Sequence, residues 1–272
     1  MQHTGDLVAL LVVVVFGLTA CRPVTTFSGS TASSADQPKP FLSIPLAKDA
    51  PTLRISEGWI YSEDERLIHP VILTHFAVDL RAEWGTPIYA PADGLAVASY
   101  HIYDMVDAYD RVIGYGLGLF VQIWHEEAKL YSSYSHLSRI SETIPYIPPT
   151  LEGDSWQPRR AIYVPINVFK GQAKPLKMGD LIGYIGYTGL RLGYKEVPAN
   201  PPSVDSDRDK TWDPNGAHLH WEVFSRTPDG SKKKDRYDPF GIYGEQEEYA
   251  GVFTKATGLI LANPDGSPQF AR

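Results

Sequence analysis

The frequency of glycine and proline limits this chain to short elements of secondary structure. Its 272 residues include 23 glycines and 22 prolines. From residue 51 onward they separate short segments rich in β-branched and aromatic residues. Strands need only about 4–8 residues, whereas helices need roughly 10–12 or more, and no amphipathic segment of that helical length stands out. The sequence therefore predicts a mainly β, antiparallel domain with few helices.

Four segments predict two pairs of neighbouring strands. Pro87–Pro91 and Leu95–Tyr100 flank the turn sequence Ala92-Asp93-Gly94, and an Asp-Gly turn is typical of a β-hairpin. Leu119–His125 and Lys129–His136 are predicted to form the second pair.

Two later segments predict further strands. Leu181–Tyr187 is one of them. His218–Phe224 alternates strictly between polar and apolar residues. Successive side chains of a strand point to opposite faces, so His218, His220 and Glu222 are predicted to share one face.

An apolar segment and the single cysteine of the chain indicate export and lipidation. Leu7–Leu18 is almost wholly apolar. Twelve residues are too few for a helix to cross a ~30 Å hydrocarbon core at ~1.5 Å per residue, but they suit a signal peptide. The sequence Leu18-Thr19-Ala20-Cys21 resembles the bacterial lipobox, which implies a signal peptide over residues 1–20, cleavage after Ala20 and acyl chains on Cys21. A short uncleaved anchor with an incidental cysteine is the alternative.

The remaining chain is predicted to divide into a tether, a main domain and an extension. Residues 21–50 are rich in Ser, Thr and Pro and predict a flexible tether, spanning about 25–35 Å. The main domain is predicted over residues 51–250, and residues 251–272 form a C-terminal extension. Two polar, proline-rich insertions, residues 141–175 and 190–216, predict either lids over a functional site or disordered loops.

Composition and charge exclude several classes of function. A hydrophobic fraction of 43% excludes a disordered chain. A net charge of −7 argues against a nucleic-acid binder, because phosphate contacts need a concentrated positive surface. One cysteine cannot form an intramolecular disulfide or a four-sulfur zinc site. No Gly-x-Ser-x-Gly sequence occurs, so a serine or cysteine nucleophile has no support.

Four histidines have neighbours that suggest metal chemistry. His75 precedes Asp79 by four residues, His218 and His220 form a His-x-His pair, and His136 ends a strand segment. Metal ligands lie ~2.0–2.2 Å from the ion. Residues i and i+4 of a straight strand stand ~13 Å apart, so the first two can share an ion only if the chain bends between them. Either histidine of the pair could bind the metal while the other works beside it.

The motifs that carry these residues show a family resemblance. THFAVDL, GTPIYAPADG, YSSYSHL, MGDLIGYIGYTG and GAHLHWEVF occur in this order between about Ile68 and Phe224. They resemble the zinc metallopeptidases of the lysostaphin and LytM type, peptidase family M twenty-three, which cleave peptide stems or cross-bridges of bacterial peptidoglycan. The resemblance implies a single antiparallel β-sheet or sandwich domain of the duplicated hybrid motif type, with a groove and few helices. The two long loop insertions interrupt the family pattern. Ala77 departs from the family, which often has glycine there, and would be strained at a positive φ.

The resemblance also implies a role for each site residue. His75, Asp79 and His220 resemble the ligands of one Zn²⁺ per chain, and His136 and His218 resemble the catalytic histidines beside it. Such a centre keeps an open position where water becomes acidic, and two imidazoles can accept and return protons. The implied reaction is hydrolysis of a peptide bond by metal-activated water.

Together, the export signal and the site predict a function and a location. We expect a lipid-anchored, zinc-dependent endopeptidase of peptidoglycan in a bacterial cell envelope, facing outside the cytoplasm and acting as a monomer. Two alternatives stay open. One is a non-catalytic envelope module that binds peptidoglycan or regulates another wall hydrolase. The other is a peptidase that acts on a secreted protein.

Several further residues have two interpretations. Glu222 either orients a metal ligand or faces solvent, and Tyr134 either borders the substrate or packs in the core. Residues Gly114–Gly118 are predicted to be a turn entering a strand rather than a nucleotide loop. Lys232–Arg236 either contacts anionic wall polymer or forms a solvated loop. No role is predicted for the other histidines of the body, His69, His101 and His125.

Overall fold

The structure of the protein is a computed structural model. It describes residues 38–60, 75–101, 105–106, 112–114, 116–149, 151–152, 160–161, 166–189, 200, 216–230 and 232–272. The predicted signal peptide, Cys21, the first part of the predicted tether and His69 lie outside these residues. Within them, no helix has the length and apolar character needed to cross a membrane.

Strands dominate the described part of the chain. Its fifteen strands are β1 (Arg54–Glu57), β2 (Val78–Arg81), β3 (Pro87–Tyr89), β4 (Gly94–His101), β5 (Met105–Val106), β6 (Val112–Gly114), β7 (Gly118–His125), β8 (Leu130–Ser135), β9 (Leu137–Ile140), β10 (Leu151–Glu152), β11 (Arg160–Ala161), β12 (Lys174–Leu176), β13 (Leu181–Ile185), β14 (Leu219–Arg226) and β15 (Lys233–Tyr237). The helices with described bounds are the α-helix α1 (Ile166–Gln172) and the 3-10 helix η1 (Gln246–Tyr249). The predicted mainly β class is confirmed.

A large antiparallel sheet brings distant parts of the sequence together. Its order is β1-β2-β14-β8-β7-β4-β12, and β15 pairs with the part of β14 that follows its pairing with β2. On β14, His220 lies opposite Asp79 of β2 and opposite Ser135 of β8. Two polar residues 141 positions apart thereby become direct neighbours.

A second antiparallel sheet, β3-β13-β9, shares the core of the large one. Its Ile88, Ile182 and Ile185 are fully buried in the same apolar cluster as Val121 and Trp221 of the large sheet. Each such side chain contributes about 1.5–3 kcal/mol when it leaves water. Burial in one shared cluster therefore holds the two sheets together. The short pairs β5-β6 and β10-β11 complete the described strands.

The predicted alternation along β14 is confirmed. Trp221 and its apolar neighbours enter the main core, while His220 and Glu222 lie on the opposite face. That face is also covered, since His220 is 8% and Glu222 6% exposed. Further along the face, Phe224 stacks on Tyr131 with ring centroids 5.7 Å apart. The polar stripe of β14 is therefore largely buried, with an apolar cluster at one end.

The first predicted hairpin is wrong, and the second pair is confirmed. β3 pairs with β13 while β4 pairs with β7 and β12, so the turn between β3 and β4 carries the chain from one sheet to the other. The Asp93 carboxylate accepts the backbone N–H of Met178 at 2.9 Å and the ammonium of Lys177 at 2.7 Å. Asp93 thus joins two distant turns instead of closing a local one. β7 and β8 pair as predicted.

The packed body begins earlier than the predicted boundary at residue 51. Leu42, Ile44 and Leu46 are fully buried. Leu42 and Ile44 form parallel bridges with Ile260 and Phe270 of the C-terminal extension. The last part of the predicted tether is therefore a structural segment, because its alternating apolar residues find partners that lie more than 200 residues away in sequence.

The first predicted insertion is partly built of regular structure. Residues 141–175 contain β10, β11, α1 and the first residues of β12. Phe169 of α1 is 1% exposed and meets Tyr131 edge to face, with centroids 5.6 Å apart. This part of the insertion packs on the large sheet rather than forming a free loop. Of the second insertion, residues 190–216, only Asn200 and Gly216 lie within the described residues.

Candidate metal centre

Three side chains converge on one point of the large sheet. His75 Nε2 lies 3.0 Å from His220 Nδ1, which lies 3.0 Å from Asp79 Oδ1, and the third edge, from His75 Nε2 to Asp79 Oδ1, measures 3.4 Å. All three residues are buried. Zinc ligands at ~2.0–2.1 Å in tetrahedral geometry stand about 3.3 Å from one another. Two imidazoles and one carboxylate at this spacing fit a single zinc ion.

A tight bend allows His75 and Asp79 to share that point. The N–H of Ala77 donates to the carbonyl of His75 at 2.6 Å, which is the hydrogen bond of a γ-turn. β2 begins immediately afterwards, at Val78. Ala77 does not have a positive φ, so the strain considered for alanine at this position does not arise.

The ring of His75 is oriented by the segment that follows β1. Its Nδ1–H donates to the carbonyl of Gly58 at 2.8 Å, and its backbone N–H donates to the carbonyl of Trp59 at 2.8 Å. Because a carbonyl only accepts, Nδ1 carries the proton and Nε2 presents a lone pair. The N–H of Trp59 donates to the hydroxyl of Tyr249 at 3.1 Å, and this hydroxyl donates to Asp238 Oδ2 at 2.7 Å.

Asp238 organises the C-terminal loop that carries Tyr249. Its buried carboxylate accepts three backbone N–H groups at 2.7–2.8 Å, from Phe240, Ile242 and Tyr243. A Cβ added to Gly58 would lie only 2.7 Å from the ring of Tyr249. The C-terminal loop therefore packs directly against the segment that holds His75.

Glu222 and Lys233 lie behind the second imidazole. His220 Nε2 is 3.8 Å from Glu222 Oε1, and the other oxygen of Glu222 contacts the ammonium of Lys233. The Lys233 side chain is only 4% exposed. A carboxylate behind a histidine ligand favours the proton on the far nitrogen, which leaves His220 Nδ1 to face the metal. The solvent-facing interpretation of Glu222 is wrong.

His136 occupies a strained position between β8 and β9. Its φ is 62°, a value that residues other than glycine rarely adopt. Its N–H donates to the carbonyl of Leu117 at 2.9 Å, and its Nδ1–H donates to the carbonyl of Thr188 at 2.8 Å. Gly118 permits this arrangement, because a Cβ there would lie 2.4 Å from the Thr188 carbonyl oxygen. The Nε2 of His136 is left to exchange a proton.

His218 stands between His136 and Asp79. Its Nδ1–H donates to the carbonyl of Gly216 at 2.8 Å, and its Nε2 lies 3.2 Å from Asp79 Oδ2. Its ring centroid is 4.8 Å from that of His136. The structure thus brings all five predicted residues together, with His75, Asp79 and His220 as the converging set and the other two beside it.

Burial and charge give the groups of the centre different protonation states. Burial lowers the pKa of His75 and takes the pKa of His136 well below 6.5, so these two rings are neutral at pH 7. Burial alone would raise the pKa of Asp79, but the surrounding imidazoles hold it well below its ordinary value. Burial would lower the pKa of His220, but Asp79 and Glu222 raise it to about 9 in the absence of metal.

Other predicted residues lie away from the centre. Tyr134 is fully buried, donates to Ser132 Oγ at 2.8 Å and stacks on Trp221, so it packs in the core and does not border the substrate. His125 is buried and hydrogen-bonded to Ser132 and to the carbonyl of Asp93. β7 begins at Gly118, as expected of a turn entering a strand. The segment that includes Lys233 is strand β15 rather than a loop.

Sequence reasoning missed the residues that orient the imidazoles. Gly58 and Thr188 act through backbone carbonyls, which carry no residue-specific signal. Tyr249 and Asp238 act through hydrogen bonds across about 190 residues of sequence. The only available signal was the Asp-Pro-Phe-Gly turn sequence at Asp238, because aspartate before such a turn often accepts backbone N–H groups.

Comparisons with solved structures find matches at low sequence identity and low TM-score. No family model and no curated protein matches the sequence. Among solved structures, lysostaphin is 16% identical with a TM-score of 0.37 and covers 82% of this chain and 64% of its own. LytU is 18% identical with a TM-score of 0.36 and covers 70% of this chain and 83% of its own. A zinc-containing peptidase from Vibrio cholerae is 17% identical with a TM-score of 0.34 and covers 68% of this chain. This chain spans 37% of the length of the Vibrio cholerae protein.

Proposed function

We propose that this protein is a zinc-dependent endopeptidase that hydrolyses peptide bonds of bacterial peptidoglycan. The observation that carries the proposal is the triangle formed by His75 Nε2, Asp79 Oδ1 and His220 Nδ1, with edges of 3.0–3.4 Å. The peptide substrate comes from the resemblance of the sequence motifs to the lysostaphin and LytM type.

His75, Asp79 and His220 would hold the ion. When bound, zinc lowers the pKa of a water molecule towards neutrality and polarises an amide carbonyl. The hydrogen bonds of His75 to Gly58 and Trp59 fix its ring before any ion arrives. Such preorganisation reduces the reorganisation that metal binding would otherwise require.

His136 would act as the general base. It is neutral at pH 7, because burial lowers its pKa. Its Nδ1–H is committed to the Thr188 carbonyl, so a proton can be taken up only at Nε2. The strained φ of His136 holds the ring beside His218 and His220, with centroids 4.8 and 5.6 Å away.

His218 would stabilise negative charge on the substrate oxygen and return a proton to the leaving amine. Its Nδ1–H is held by the Gly216 carbonyl, and its Nε2 lies 3.2 Å from Asp79 Oδ2. The two histidines would then divide the proton transfers, with His136 accepting a proton from water and His218 returning one to the leaving amine.

Zinc content and muropeptide release would test the proposal. We expect the wild type to bind one zinc ion and to release fragments from purified sacculi, identified by mass spectrometry. His220→Ala should lose both properties, whereas His136→Ala should keep the zinc and lose release. Equal release by wild type and His220→Ala would refute the catalytic assignment. Zinc binding without release by the wild type would favour the non-catalytic envelope module.

We also propose that Cys21 anchors the protein to a membrane. The support is the lipobox-like sequence that ends at this cysteine. Cys21→Ser should move the protein from the membrane fraction to the soluble fraction of envelope extracts. An unchanged distribution would contradict lipidation at this residue.

A further inference from the structure

A cation on β15 contacts the residue that follows His75 and has no carboxylate partner among the described residues. The guanidinium of Arg236 lies 4.2 Å from the ring centroid of Phe76, the residue that follows His75. No carboxylate of the described residues comes within 4.0 Å of it, whereas Lys233 and Lys234 on the same strand pair with Glu222 and Asp235. With respect to the described residues, Arg236 is therefore available to a further anion.

The register of β15 places Arg236 on the same face of the sheet as the metal ligands. Arg236 lies opposite Phe224, and directly opposed residues of an antiparallel pair share a face. Phe224 follows His220 by four residues, or ~13 Å along the strand at ~3.3 Å per residue. Its contact with Phe76 shows that the guanidinium reaches back towards His75.

Phe76 gives the cation an apolar platform. Its side chain is 42% exposed, one of two large hydrophobic residues exposed to this degree in the described part of the chain. Its ring meets that of Trp59 edge to face with centroids 5.9 Å apart, and this contact favours the observed orientation of the ring. A guanidinium that stacks on an aromatic ring is already held in one orientation. It therefore loses less conformational entropy when it binds a carboxylate than a free side chain would.

The local charge also favours an anion. Asp79 and Glu222 carry one negative charge each, Lys233 carries one positive charge, and zinc would add two. Arg236 brings the centre to a net charge of about +2, although the whole chain carries −7. A positive site attracts anionic ligands even when the net charge of the whole protein is negative.

We propose that Arg236 and Phe76 form a subsite for a carboxylate of the substrate peptide, within about four residues of the bond that is cleaved. The inference rests on the proposed function and narrows its substrate class. The subsite favours peptides that carry a free carboxyl group over the same peptides in amidated form.

Matched substrates would test the subsite without knowledge of the scissile bond. Soluble cross-linked muropeptides are divided into two portions, and the carboxyl groups of one portion are converted to carboxamides. Cleavage of both portions is followed by mass spectrometry for wild type, Arg236→Gln and Arg236→Lys. Lys234→Gln is the control, because it removes the same charge from the same strand at a side chain that is paired with Asp235.

We expect the wild type to cleave the free acids about tenfold faster at low substrate concentration, the size typical of a hydrogen bond to a charged group. Arg236→Gln should abolish this preference by raising KM for the free acids, and Arg236→Lys should keep part of it. Lys234→Gln should behave as the wild type. An unchanged preference in Arg236→Gln, or an equal loss in Lys234→Gln, would overturn the subsite.

A binding measurement separates this inference from the proposed function. Zinc-loaded His218→Ala is titrated with both portions by calorimetry, with and without Arg236→Gln. A tenfold preference for the free acids that disappears with Arg236→Gln supports the subsite even if the wild type cleaves nothing. Equal affinity for both portions overturns it, whatever the peptidase activity.

Discussion

Glu222 lies behind the candidate metal centre without belonging to the converging set. It lies 3.8 Å from His220 Nε2 and contacts the buried ammonium of Lys233. Burial would raise the pKa of Glu222, but Lys233 and His220 hold it well below its ordinary value, so it stays ionised. An ionised carboxylate behind His220 both orients the ring and raises its basicity as a ligand.

Glu222→Gln should therefore weaken zinc binding about 10–100-fold, the range found for partners of histidine ligands. The measurement is competition with a chelator of known affinity. Glu142→Gln, at an exposed position, removes the same charge and should leave the affinity unchanged. Equal affinity of Glu222→Gln and wild type would show that the carboxylate does not act on His220.

His125 makes the stability of the protein sensitive to acid. Its Nδ1–H donates to the carbonyl of Asp93, so its Nε2 accepts from Ser132, which in turn accepts from Tyr134. Burial lowers the pKa of His125 to about 4, against about 6.5 in the unfolded chain. Between these values the unfolded state binds a proton that the folded state does not, so stability is lost as the pH falls from 6.5 to 4.

His125→Gln keeps a donor and an acceptor but does not titrate. We expect the difference in unfolding free energy between wild type and variant to shift by up to about 1.4 kcal/mol per pH unit in this window. It should be constant above pH 7. Urea denaturation at a series of pH values measures it, and parallel profiles would contradict a neutral buried His125.

At the scale of elements, the turn between β8 and β9 depends on the backbone around Gly118. Gly118 has φ of 63°, and a Cβ there would lie 2.4 Å from the Thr188 carbonyl oxygen that orients His136. Thr188 Oγ1 also accepts the N–H of Leu119 and donates to the carbonyl of Leu137. One threonine therefore links three chain segments at the ring of His136.

Gly118→Ala should displace Thr188 and with it His136. Gly266→Ala is the matched control, because it has φ of 81° but nothing within 4 Å of its added Cβ. Both variants should lose about 1 kcal/mol from the left-handed backbone, and Gly118→Ala about 1–3 kcal/mol more from the clash. Only Gly118→Ala should lower kcat while keeping its zinc. Equal losses of stability and activity would contradict the role of Gly118.

The loop after β15 should affect metal binding as well as stability. Tyr249 connects Asp238 to Trp59, whose carbonyl holds the backbone of His75. Tyr249→Phe leaves the N–H of Trp59 without its acceptor, so we expect zinc to dissociate about tenfold faster.

Tyr134→Phe is the control for Tyr249→Phe. It removes another buried hydroxyl, but one that leads to Ser132 and not to His75. Both variants should lose about 1–3 kcal/mol of unfolding free energy. Zinc release to a chelator, followed well below the melting temperature, separates the two. Identical release rates would reduce the role of Tyr249 to stability alone.

At the scale of the whole molecule, the centre unites segments that are far apart in sequence. β2 and β14, the residues just before each of them, and the β8–β9 turn supply the five polar residues, and the C-terminal loop supports His75. A ligand shared by such segments stabilises the folded state, because the unfolded chain cannot assemble the site.

Zinc should therefore raise the melting temperature. Free zinc at about 1,000 times its Kd stabilises by about 4 kcal/mol, or roughly 10 °C for a domain of this size. Differential scanning calorimetry with zinc and with EDTA would measure the shift, and His220→Ala should show none. The same shift in His220→Ala would place the stabilising ion elsewhere.

Much of the fold and of the candidate site could be predicted from the sequence. The period-two pattern of β14 placed His220 and Glu222 on one face, because alternation is a local property of an extended chain. The pairing of β3 and β4 could not be predicted in this way. An Asp-Gly turn favours a hairpin only when no distant partner competes, and here Met178 and Lys177 take the Asp93 carboxylate.

The sequence alone determined the β class and the alternation of β14, because these depend on local geometry, and the resemblance of its motifs to a known family singled out the five polar residues. Only the tertiary structure decided which atoms meet. The γ-turn at Ala77 bends His75 towards Asp79, and the register of β14 sets His220 opposite Asp79. The register depends on backbone hydrogen bonds between distant segments, and every residue type except proline can donate and accept such bonds.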